Sequence, residues 1–473
     1  MSDCVTEGRA GLREVAEAMQ AGRLSSRDLV ERAIEAYCAR ETELHAFIRF
    51  DAEGAREEAR VSDDARARLG SRGYLQGIPV SVKDHFGVER LPTWAGMRRE
   101  LPERFRGEGP VVATLRRQCA VVMGKTLAVE LAFGGLGTNP HHGTPRNPWD
   151  SSEHRVPGGS SAGAGVSLWQ GAALLALGTD TAGSCRIPAA WTGTVGLKTT
   201  KGRWSTDGIV PLSSSLDTVG LLVRSVEDAI IAFAALDPEL ARQTPPPATL
   251  ARCAGASPPR LGVVREQLWE GCSPGVAEAV EEALSTFARS GVTVREAALP
   301  EARAAEELLR SGSVVSAELD AFLERELPER REEIEPTVAS RIADGGGIPA
   351  REYLARRRRI QDLGQAAHAR FEQGDVLVFP AVPNSPPTLA ALGDLEAYRR
   401  ENFLALRNTC VANFLGLCAL SLPIGRDSLG MPVGMGILAP RGEELRLLGA
   451  ALALERRLGD AESLLGWPPG ISR

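Results

Sequence analysis

The sequence predicts an α/β fold in which helices are layered on one large mixed β-sheet. Short apolar runs that end at glycine, such as Cys119 to Met123 before Gly124, are typical of buried strands. Apolar residues that recur every three or four positions, as between Leu12 and Met19, indicate amphipathic helices. Both patterns interleave along all 473 residues, and interleaving of this kind is typical of a layered α/β architecture.

The composition is that of an ordinary globular protein and excludes several classes of function. Hydrophobic residues make up 43% of the chain and charged residues 25%, and the formal net charge is -6, so no basic surface for nucleic acid or anionic membrane is expected. The eight cysteines form no C-x-x-C pair and the six histidines no H-x-x-x-H pair, which argues against a metal site.

The location expected from the sequence is the cytoplasm. The start, Met1 to Cys4, lacks the basic and apolar regions of a secretion signal. No run reaches the roughly 20 apolar residues of a membrane helix. We therefore expect no cofactor, no metal, no nucleic acid and no membrane partner, and a monomer or a homodimer as the assembly.

The N-terminal segment 8–70 is predicted to be helical. The first helix carries its apolar face from Leu12 to Met19 and ends at Gly22. A second begins at Ser25 or Ser26, and the charged, alanine-rich stretch 51–75 is typical of a surface helix.

The next stretch, 77–84 (GIPVSVKD), has the period of a strand. Its apolar residues alternate with Ser81 and Lys83, so those two side chains should share the opposite face. Asp84 should point away from Lys83 for the same reason, and a buried Lys83 without a carboxylate partner would lose its charge more readily than a free lysine.

Two serines lie in glycine-rich settings further along the chain. They are Ser160 in GGSSAG (158–163) and Ser184 in TAGS (181–184). Glycine lets the backbone turn sharply and brings its N–H groups close to a substrate. Two hydroxyls in such turns, with no histidine between them, suggest acyl transfer driven by another base, for which Lys83 is the candidate.

Both serines precede predicted helices. The spacing of Ala162, Val166 and Trp169 is helical, and Pro188 suits the first turn of a helix that starts just after Ser184. A strand is expected over 172–177. The two helix N-termini would converge on one place and favour negative charge there.

The rest of the chain continues the alternation. Residues 243–259 are rich in proline and alanine and predict a surface connection, and 274–370 are mostly helical in pattern. Three strands, over 376–379, 417–423 and around 433–437, and a closing helix over 443–455 are expected.

Four motifs in order resemble the amidase signature family. They are GIPVSVKD at 77–84, RVPGGSSAGAG at 155–165, GTDTAGSCRIPAA at 178–190 and GLKTTKGR at 196–203. The spacing from Ser160 to Ser184 is that of the family's cis-serine and nucleophile. The resemblance implies one α/β/α domain over 1–473 around a twisted mixed sheet.

Within that domain the resemblance implies a catalytic core over 77–228. Segment 274–370 varies among family members and is expected near the substrate mouth.

The resemblance also implies a Ser–cis-Ser–Lys triad. Ser184 would be the nucleophile, Ser160, with a cis peptide bond, the proton relay, and Lys83 the base. The amides of Thr181, Ala182, Gly183 and Ser184 would form the oxyanion hole, because they lie in one tight turn. The loop that contains Phe133, Gly134 and Gly135 would line the acyl site.

The flanks of the nucleophile should be structural. Asp180 and Arg186 are expected to pair and brace the loop, and Cys185 is expected to be small and buried rather than reactive. Where the family commonly has two glycines before the serine, the first here is Ala182, which disfavours positive φ and could set the loop differently.

The predicted reaction is hydrolysis of carbon–nitrogen bonds in amides, with carbamates and esters as further substrates. Trp94, Met97, Phe133, Trp204 and Met435 could furnish an apolar pocket, which favours aryl or alkyl groups over glutamine.

Three other interpretations stay open. GSSAG (159–163) also fits the nucleophile elbow G-x-S-x-G, with Ser161 as nucleophile and His368 as base. The chain could be the glutaminase subunit of an amidotransferase complex, which shares the motifs. A silent scaffold is disfavoured because all three triad positions are filled.

Overall fold

A computed structural model of the chain describes residues 10–311, 314–373, 375–469 and 471. One mixed sheet runs through this part of the chain. Its strands, in chain order, are β1 (Phe47–Phe50), β2 (Pro79–Lys83), β3 (Val121–Thr126), β4 (Leu175–Asp180), β5 (Val195–Lys198), β6 (Thr218–Val223), β7 (Arg260–Val264), β8 (Thr293–Ala297), β9 (Val376–Pro380), β10 (Cys418–Arg426) and β11 (Pro432–Ala439).

Helices separate most of these strands. The α-helices are α1 (Leu12–Gln20), α2 (Ser26–Leu44), α3 (Ala52–Leu69), α4 (Pro110–Arg117), α5 (Ala162–Gln170), α6 (Arg186–Thr192), α7 (Val226–Leu236), α8 (Leu240–Gln243), α9 (Pro246–Ala254), α10 (Val276–Arg289), α11 (Glu301–Arg310), α12 (Val314–Glu326), α13 (Pro336–Gly346), α14 (Ala350–His368), α15 (Leu395–Arg407), α16 (Cys410–Phe414), α17 (Glu444–Leu458) and α18 (Ala461–Leu465). Short 3₁₀ turns cover Glu103–Arg106, Glu130–Ala132, Glu266–Trp269, Pro328–Glu333, Ala369–Gln373 and Leu389–Leu392.

The sheet has the order β1-β3-β2-β4-β6-β5-β10-β11-β9-β7-β8. The pairs β3–β2, β2–β4, β9–β7 and β7–β8 are parallel, and the other neighbours are antiparallel. The predicted mixed sheet is therefore confirmed, and β2 and β4, which carry chemistry-bearing residues, are direct neighbours.

Side-chain alternation assigns each face of the sheet to a different helical layer. In β4, Leu175 and Leu177 join the core that includes Phe233 of α7. Ala176, between them, packs with Leu168 of α5 on the other face. The sheet is thus covered by helices on both sides, which is the α/β/α layering expected from the sequence.

The strand β2 obeys the predicted alternation. Val80 and Val82 lie in the α7 core, whereas the Oγ atoms of Ser81 and Ser167, the latter on α5, are 2.9 Å apart. Lys83 shares that polar face by the same period of two.

Some predicted boundaries move for local reasons. The strand predicted from Cys119 begins only at Val121. Cys119 itself has a φ of 55°, and its carbonyl oxygen accepts a hydrogen bond from the amide of Gly77. The strand predicted from 172 begins at Leu175, because α5 ends at Gly171 in a left-handed cap.

The predicted N-terminal helices form, but segment 8–70 is not helical throughout, because β1 (Phe47–Phe50) pairs with β3 between α2 and α3. Positions 1–9, including Met1 to Cys4, lie outside the described residues. Across the described residues, no helix has the length and apolar character needed to cross a membrane.

Candidate active site

Lys83 is the last residue of β2, and its ammonium group is completely buried. Its Nζ donates hydrogen bonds to Ser160 Oγ at 2.7 Å and to Thr179 Oγ1 at 2.6 Å. Thr179 belongs to the neighbouring parallel strand β4, two residues beyond Leu177, which pairs with Val82. The structure thus places two of the three predicted triad residues in direct contact.

Burial dominates the electrostatics of Lys83. Removal from water disfavours the ammonium form and lowers the pKa of Lys83 to about 8, although Cys185, Asp217 and Asp180 act in the opposite direction. Among the described residues, no carboxylate lies within ion-pair distance of its Nζ. The neutral form of Lys83, which can accept a proton, is therefore a minority near pH 7 and becomes the main form above about pH 8.

Ser160 lies in a loop that is fixed by a second loop. The Gly159–Ser160 peptide bond is cis, as the resemblance implied. The Gly159 amide donates to Gly135 O at 2.7 Å, and Ser160 O accepts from Val129 N at 3.1 Å. These bonds hold Ser160, which is itself fully buried, against Lys83.

Ser184 occupies the turn between β4 and α6. It is 3% exposed, and its carbonyl oxygen accepts a hydrogen bond from Ser161 N at 3.2 Å. That contact joins the loop of Ser184 to the loop of Ser160. Unlike Lys83 and Ser160, Ser184 lines an open cavity.

A buried ion pair braces the turn, as predicted. Arg186 Nη2 lies 2.8 Å from Asp180 Oδ1, and the carboxylate also accepts from the amides of Gly183 at 2.9 Å and Cys185 at 3.1 Å. Burial alone would raise the pKa of Asp180, but Arg186, Lys198 and the Cys185 amide together outweigh it and the pKa falls to about 2. Asp180 is therefore a permanent anchor for the loop.

The four predicted oxyanion-hole residues do not have equivalent amides. The Gly183 amide is already bonded to Asp180. Within the described part of the chain, the amides of Thr181, Ala182 and Ser184 make no hydrogen bond. Thr181 is held by its side chain, whose Oγ1 donates to Asp217 Oδ1 at 2.5 Å.

Gly183 instead supplies the shape of the turn. Its φ is 134°, and a Cβ at this position would lie 2.1 Å from Thr409 Oγ1. Ala182 does not adopt positive φ, so alanine fits where the family commonly has glycine. Thr409 Oγ1 also donates to Ala182 O at 2.7 Å and so fixes the turn from the other side.

The cavity beside Ser184 has a volume of about 430 Å³. Its wall comes from the Phe133 loop, the Ser184 turn and four helical segments of the second half of the chain. The lining residues are Ala132, Phe133, Gly134, Thr181, Ala182, Ser184, Leu212, Leu309, Arg310, Ser311, Val315, Ser316, Arg341, Arg399, Asn402, Phe403 and Leu406.

Of the three predicted substrate-binding residues, two line the cavity and one does not. Phe133 and Gly134 line the cavity. Gly135 lies behind it, where its amide donates to Asn402 Oδ1 at 2.7 Å and its carbonyl accepts from Gly159. Gly135 therefore helps to position Asn402, which lines the cavity, and Gly159, which precedes Ser160.

The expected apolar pocket is wrong apart from Phe133. Trp204 stacks on Phe233 in the core at 5.5 Å between ring centroids, and Met97 and Met435 are buried away from the cavity. Trp94 packs near His142, with ring centroids 6.3 Å apart. Residue type alone does not show which side of the sheet a large apolar side chain occupies.

Among the described residues, no hydrogen bond joins Ser161 to His368, as the nucleophile-elbow interpretation would require. Ser161 is fully buried, and its Oγ faces Thr179 O at 3.4 Å. His368 ends α14 and lines a different cavity. Cys185 is fully buried, and burial raises the pKa of its thiol, as expected of an unreactive cysteine.

Several residues near the site carry no prediction from the sequence. Thr179 sits inside a quoted motif, but the period of two along β4 groups it with Leu175 and Leu177, so alternation alone does not identify it as a neighbour of Lys83. Thr409 and the three arginines of the cavity come from distant segments, and no local pattern marks them. Among the described residues, no group of three or more His, Cys, Asp or Glu side chains is arranged to hold a metal ion.

Comparisons with known proteins match most of the chain. The model of the family described as Amidase matches residues 28–448. The chain is 47% identical over 456 residues to 2-amino-5-chloromuconic acid deaminase of Comamonas testosteroni, covering 95% of this chain and 98% of that protein.

Two further matches extend over similar lengths. The chain is 35% identical over 480 residues to one subunit of the glutamyl-tRNA(Gln) amidotransferase of Anaeromyxobacter sp. (strain K), covering 95% of this chain and 96% of the other. A crystal structure of an amidase superposes with a TM-score of 0.81 at 32% identity, over 95% of this chain and all of that one. The chain therefore belongs to the amidase signature family and is a hydrolase that acts on carbon–nitrogen bonds.

Proposed function

We propose that the protein hydrolyses the carbon–nitrogen bond of a small-molecule amide through an acyl-enzyme on Ser184, with Ser160 as proton relay and Lys83 as base. One observation carries the proposal. A buried lysine with a lowered pKa donates to Ser160 Oγ at 2.7 Å, in a loop bonded to that of the cavity-lining Ser184.

Acylation in this scheme begins with attack of Ser184 Oγ on the amide carbonyl carbon. The Ser184 proton passes to Ser160 Oγ as the proton of Ser160 passes to neutral Lys83. The carbonyl oxygen becomes an oxyanion, for which the amides of Ala182 and Ser184 are the proposed donors. Thr181 and Gly183 set the shape of that turn.

Collapse of the intermediate breaks the carbon–nitrogen bond. Ser160 gives its proton to the leaving nitrogen and is reprotonated by Lys83, which restores the neutral amine. Water then attacks the ester on Ser184 through the same relay, and the acid is released. Over the cycle the proton of Ser184 departs on the leaving nitrogen and a proton of the attacking water replaces it, so all three side chains end in their starting protonation states.

The relative named 2-amino-5-chloromuconic acid deaminase favours a second candidate reaction, the release of ammonia from an amino-substituted unsaturated acid. After tautomerisation of such an enamine to an imine, water adds to the C=N carbon and ammonia leaves, so that a carbonyl remains. Lys83 and Ser160 would move the protons in this reaction as well.

A role as the glutaminase component of an amidotransferase has less support. The relatives with that name have lower identity, 35% in the Anaeromyxobacter protein against 47% in the deaminase. We propose a protein that acts on its own as a monomer or homodimer. The described cysteines are free, which fits the reducing cytoplasm proposed as its location.

A panel of chromogenic anilides, carbamates and esters tests the proposal on wild type, Ser184→Ala and His368→Ala. We expect Ser184→Ala to lose turnover of every substrate by at least about 10³-fold, and His368→Ala to keep it. Turnover that survives in Ser184→Ala would refute the acyl-enzyme. Gel filtration of the active fraction tests whether the chain works without partner subunits.

A further inference from the structure

We propose that the cavity beside Ser184 selects substrates that carry a carboxylate and no ammonium group, and that Arg341 is the residue that determines this specificity. The inference rests on the proposed function only in taking Ser184 as the point of reaction. It goes beyond it by assigning a charge to the substrate and a binding partner to that charge.

The charge of the cavity wall is the first observation. Three arginines, Arg310, Arg341 and Arg399, line a volume of about 430 Å³. Among the lining residues that the structure describes, none is a carboxylate. A wall of one sign attracts the opposite charge, and its field is strongest where water is partly excluded.

Arg341 is the arginine best placed to bind a substrate group. It lies on α13, and its Nη1 donates to Phe133 O at 2.6 Å. The guanidinium also stacks over the Phe133 ring, 3.9 Å from the centroid. Phe133 and Ser184 line the same cavity, so the fixed guanidinium and the proposed nucleophile face a common space.

A guanidinium in such a setting is well suited to a carboxylate. Its N–H donors form a planar fork that matches two carboxylate oxygens, and it keeps its charge at every relevant pH. The Phe133 carbonyl and ring hold Arg341 at the cavity wall, so little side-chain freedom remains to be lost when a substrate binds there.

The other two arginines contribute differently. Arg399 is exposed and donates to Ser340 Oγ at 3.0 Å, so it meets the residue next to Arg341 on α13. Arg310 pairs with Glu306 at 2.8 Å and stacks on Phe403, which offsets part of its charge. Arg310 therefore adds only part of its charge to the cavity wall.

The same wall disfavours a zwitterion. The ammonium group of a free amino acid, glutamine included, would enter a space lined by arginines and would meet no carboxylate among the described lining residues. An acid amide without that group gains the attraction and avoids the repulsion.

Three amides of matched size separate these cases. Glutaramate carries a carboxylate, glutaramide is neutral, and glutamine carries a carboxylate and an ammonium group. We expect wild type to have a kcat/KM for glutaramate at least roughly tenfold above that for either of the others. Arg341→Gln should lower the ratio of kcat/KM for glutaramate to kcat/KM for glutaramide by roughly 10–100-fold, mainly through the KM for glutaramate.

The glutaramide rate is the internal control for folding, because a displaced Phe133 loop would lower both rates together. Arg341→Lys, which keeps the charge but loses the fork, should fall between wild type and Arg341→Gln. Arg358→Gln is the matched control: it removes an exposed arginine of α14 that pairs with Asp362 outside the cavity and should change neither ratio.

Binding of glutarate to Ser184→Ala, measured by calorimetry at low and high salt, tests the inference without catalysis. We expect binding that weakens with salt and is lost in the double variant with Arg341→Gln. Equal kcat/KM values for glutaramate and glutaramide, or a ratio unchanged in Arg341→Gln, would overturn the inference. If Ser184→Ala still turns substrate over, the proposed mechanism fails, while the glutarate measurement continues to decide the charge preference.

Discussion

Asp84 pairs with Lys125 across 3.3 Å and not with its sequence neighbour Lys83. The carboxylate also accepts from the amides of Trp94 and Gly96, so it is held on the opposite side of β2 from the candidate active site. Strand alternation thus gives two adjacent charged residues different partners. The side-chain partners of Lys83 are the hydroxyl groups of Ser160 and Thr179, which can hydrogen-bond to either the charged or the neutral amine.

The first prediction concerns the pH dependence of wild type. Lys83 must be neutral to act as base, and its pKa is lowered to about 8 by burial. Because the protonated form predominates below that value, kcat/KM for a neutral amide should rise with pH and level off above about 8. Stopped or continuous assays from about pH 6 to 10 measure this ascending limb of the pH profile of kcat/KM. A rate that falls with rising pH over this range would contradict the assignment.

The second prediction uses Thr179, whose Oγ1 accepts from Lys83 Nζ at 2.6 Å. A hydroxyl that accepts a hydrogen bond from an ammonium group stabilises the charged form. Thr179→Val should therefore lower the pKa of Lys83 further and move the ascending limb towards lower pH. A limb that stays in place, or moves to higher pH, would show that Lys83 does not produce it.

The third prediction concerns the turn before Ser184. Gly183→Ala puts a Cβ 2.1 Å from Thr409 Oγ1 at a φ of 134°, so the turn must move. We expect kcat to fall by roughly 10²–10³-fold, as when an oxyanion-hole donor is lost. Gly202→Ala is the control, since Gly202 also has positive φ but its Cβ would meet nothing within 4 Å. Equal effects of the two substitutions would attribute the loss to backbone strain alone.

The fourth prediction concerns the buried ion pair between Asp180 and Arg186. Arg186→Met leaves the buried carboxylate of Asp180 unpaired, which typically costs about 3–5 kcal/mol. For a chain of this length that corresponds to a Tm lower by roughly 3–5 °C. Arg358→Gln, which breaks an exposed pair, should change Tm by less than about 1 °C.

The stability that the Asp180–Arg186 pair contributes depends on pH. The pKa of Asp180 in the folded protein, about 2, lies below that of an unfolded aspartate, so the pair stabilises the fold above about pH 4 and is lost as pH falls towards 2. The Tm difference between wild type and Arg186→Met should therefore be largest above about pH 4. A difference that grows on acidification would exclude this role for Asp180.

Much of the fold could be predicted because its signals are local. The alternation of 77–84 is enough to put Val80 and Val82 in one core and Ser81 on the other face. The glycine-rich turns are likewise visible as short motifs. The pairing of Asp180 with Arg186 needs no long-range information either, since both flank one turn.

The substrate wall could not be predicted in the same way. Arg341 reaches the cavity because α13 packs beside the Phe133 loop, which lies 208 residues away in sequence. The apolar residues chosen for the pocket failed for the same reason: Trp204 and Met435 lie on strands and loops whose side chains face the core. Packing between segments that are distant in sequence decides whether the arginines and the tryptophan line the cavity, so no local pattern could predict it.

Covalent labelling of Ser184 tests the proposed mechanism most directly. Wild type, Ser184→Ala and Lys83→Met are incubated with an acylating aryl carbamate, and the modified peptide is identified by mass spectrometry. We predict a single adduct on Ser184, absent from Ser184→Ala and formed at least about 10²-fold more slowly in Lys83→Met. An adduct on Ser160, Ser161 or Cys185, or an unchanged rate in Lys83→Met, would contradict the mechanism.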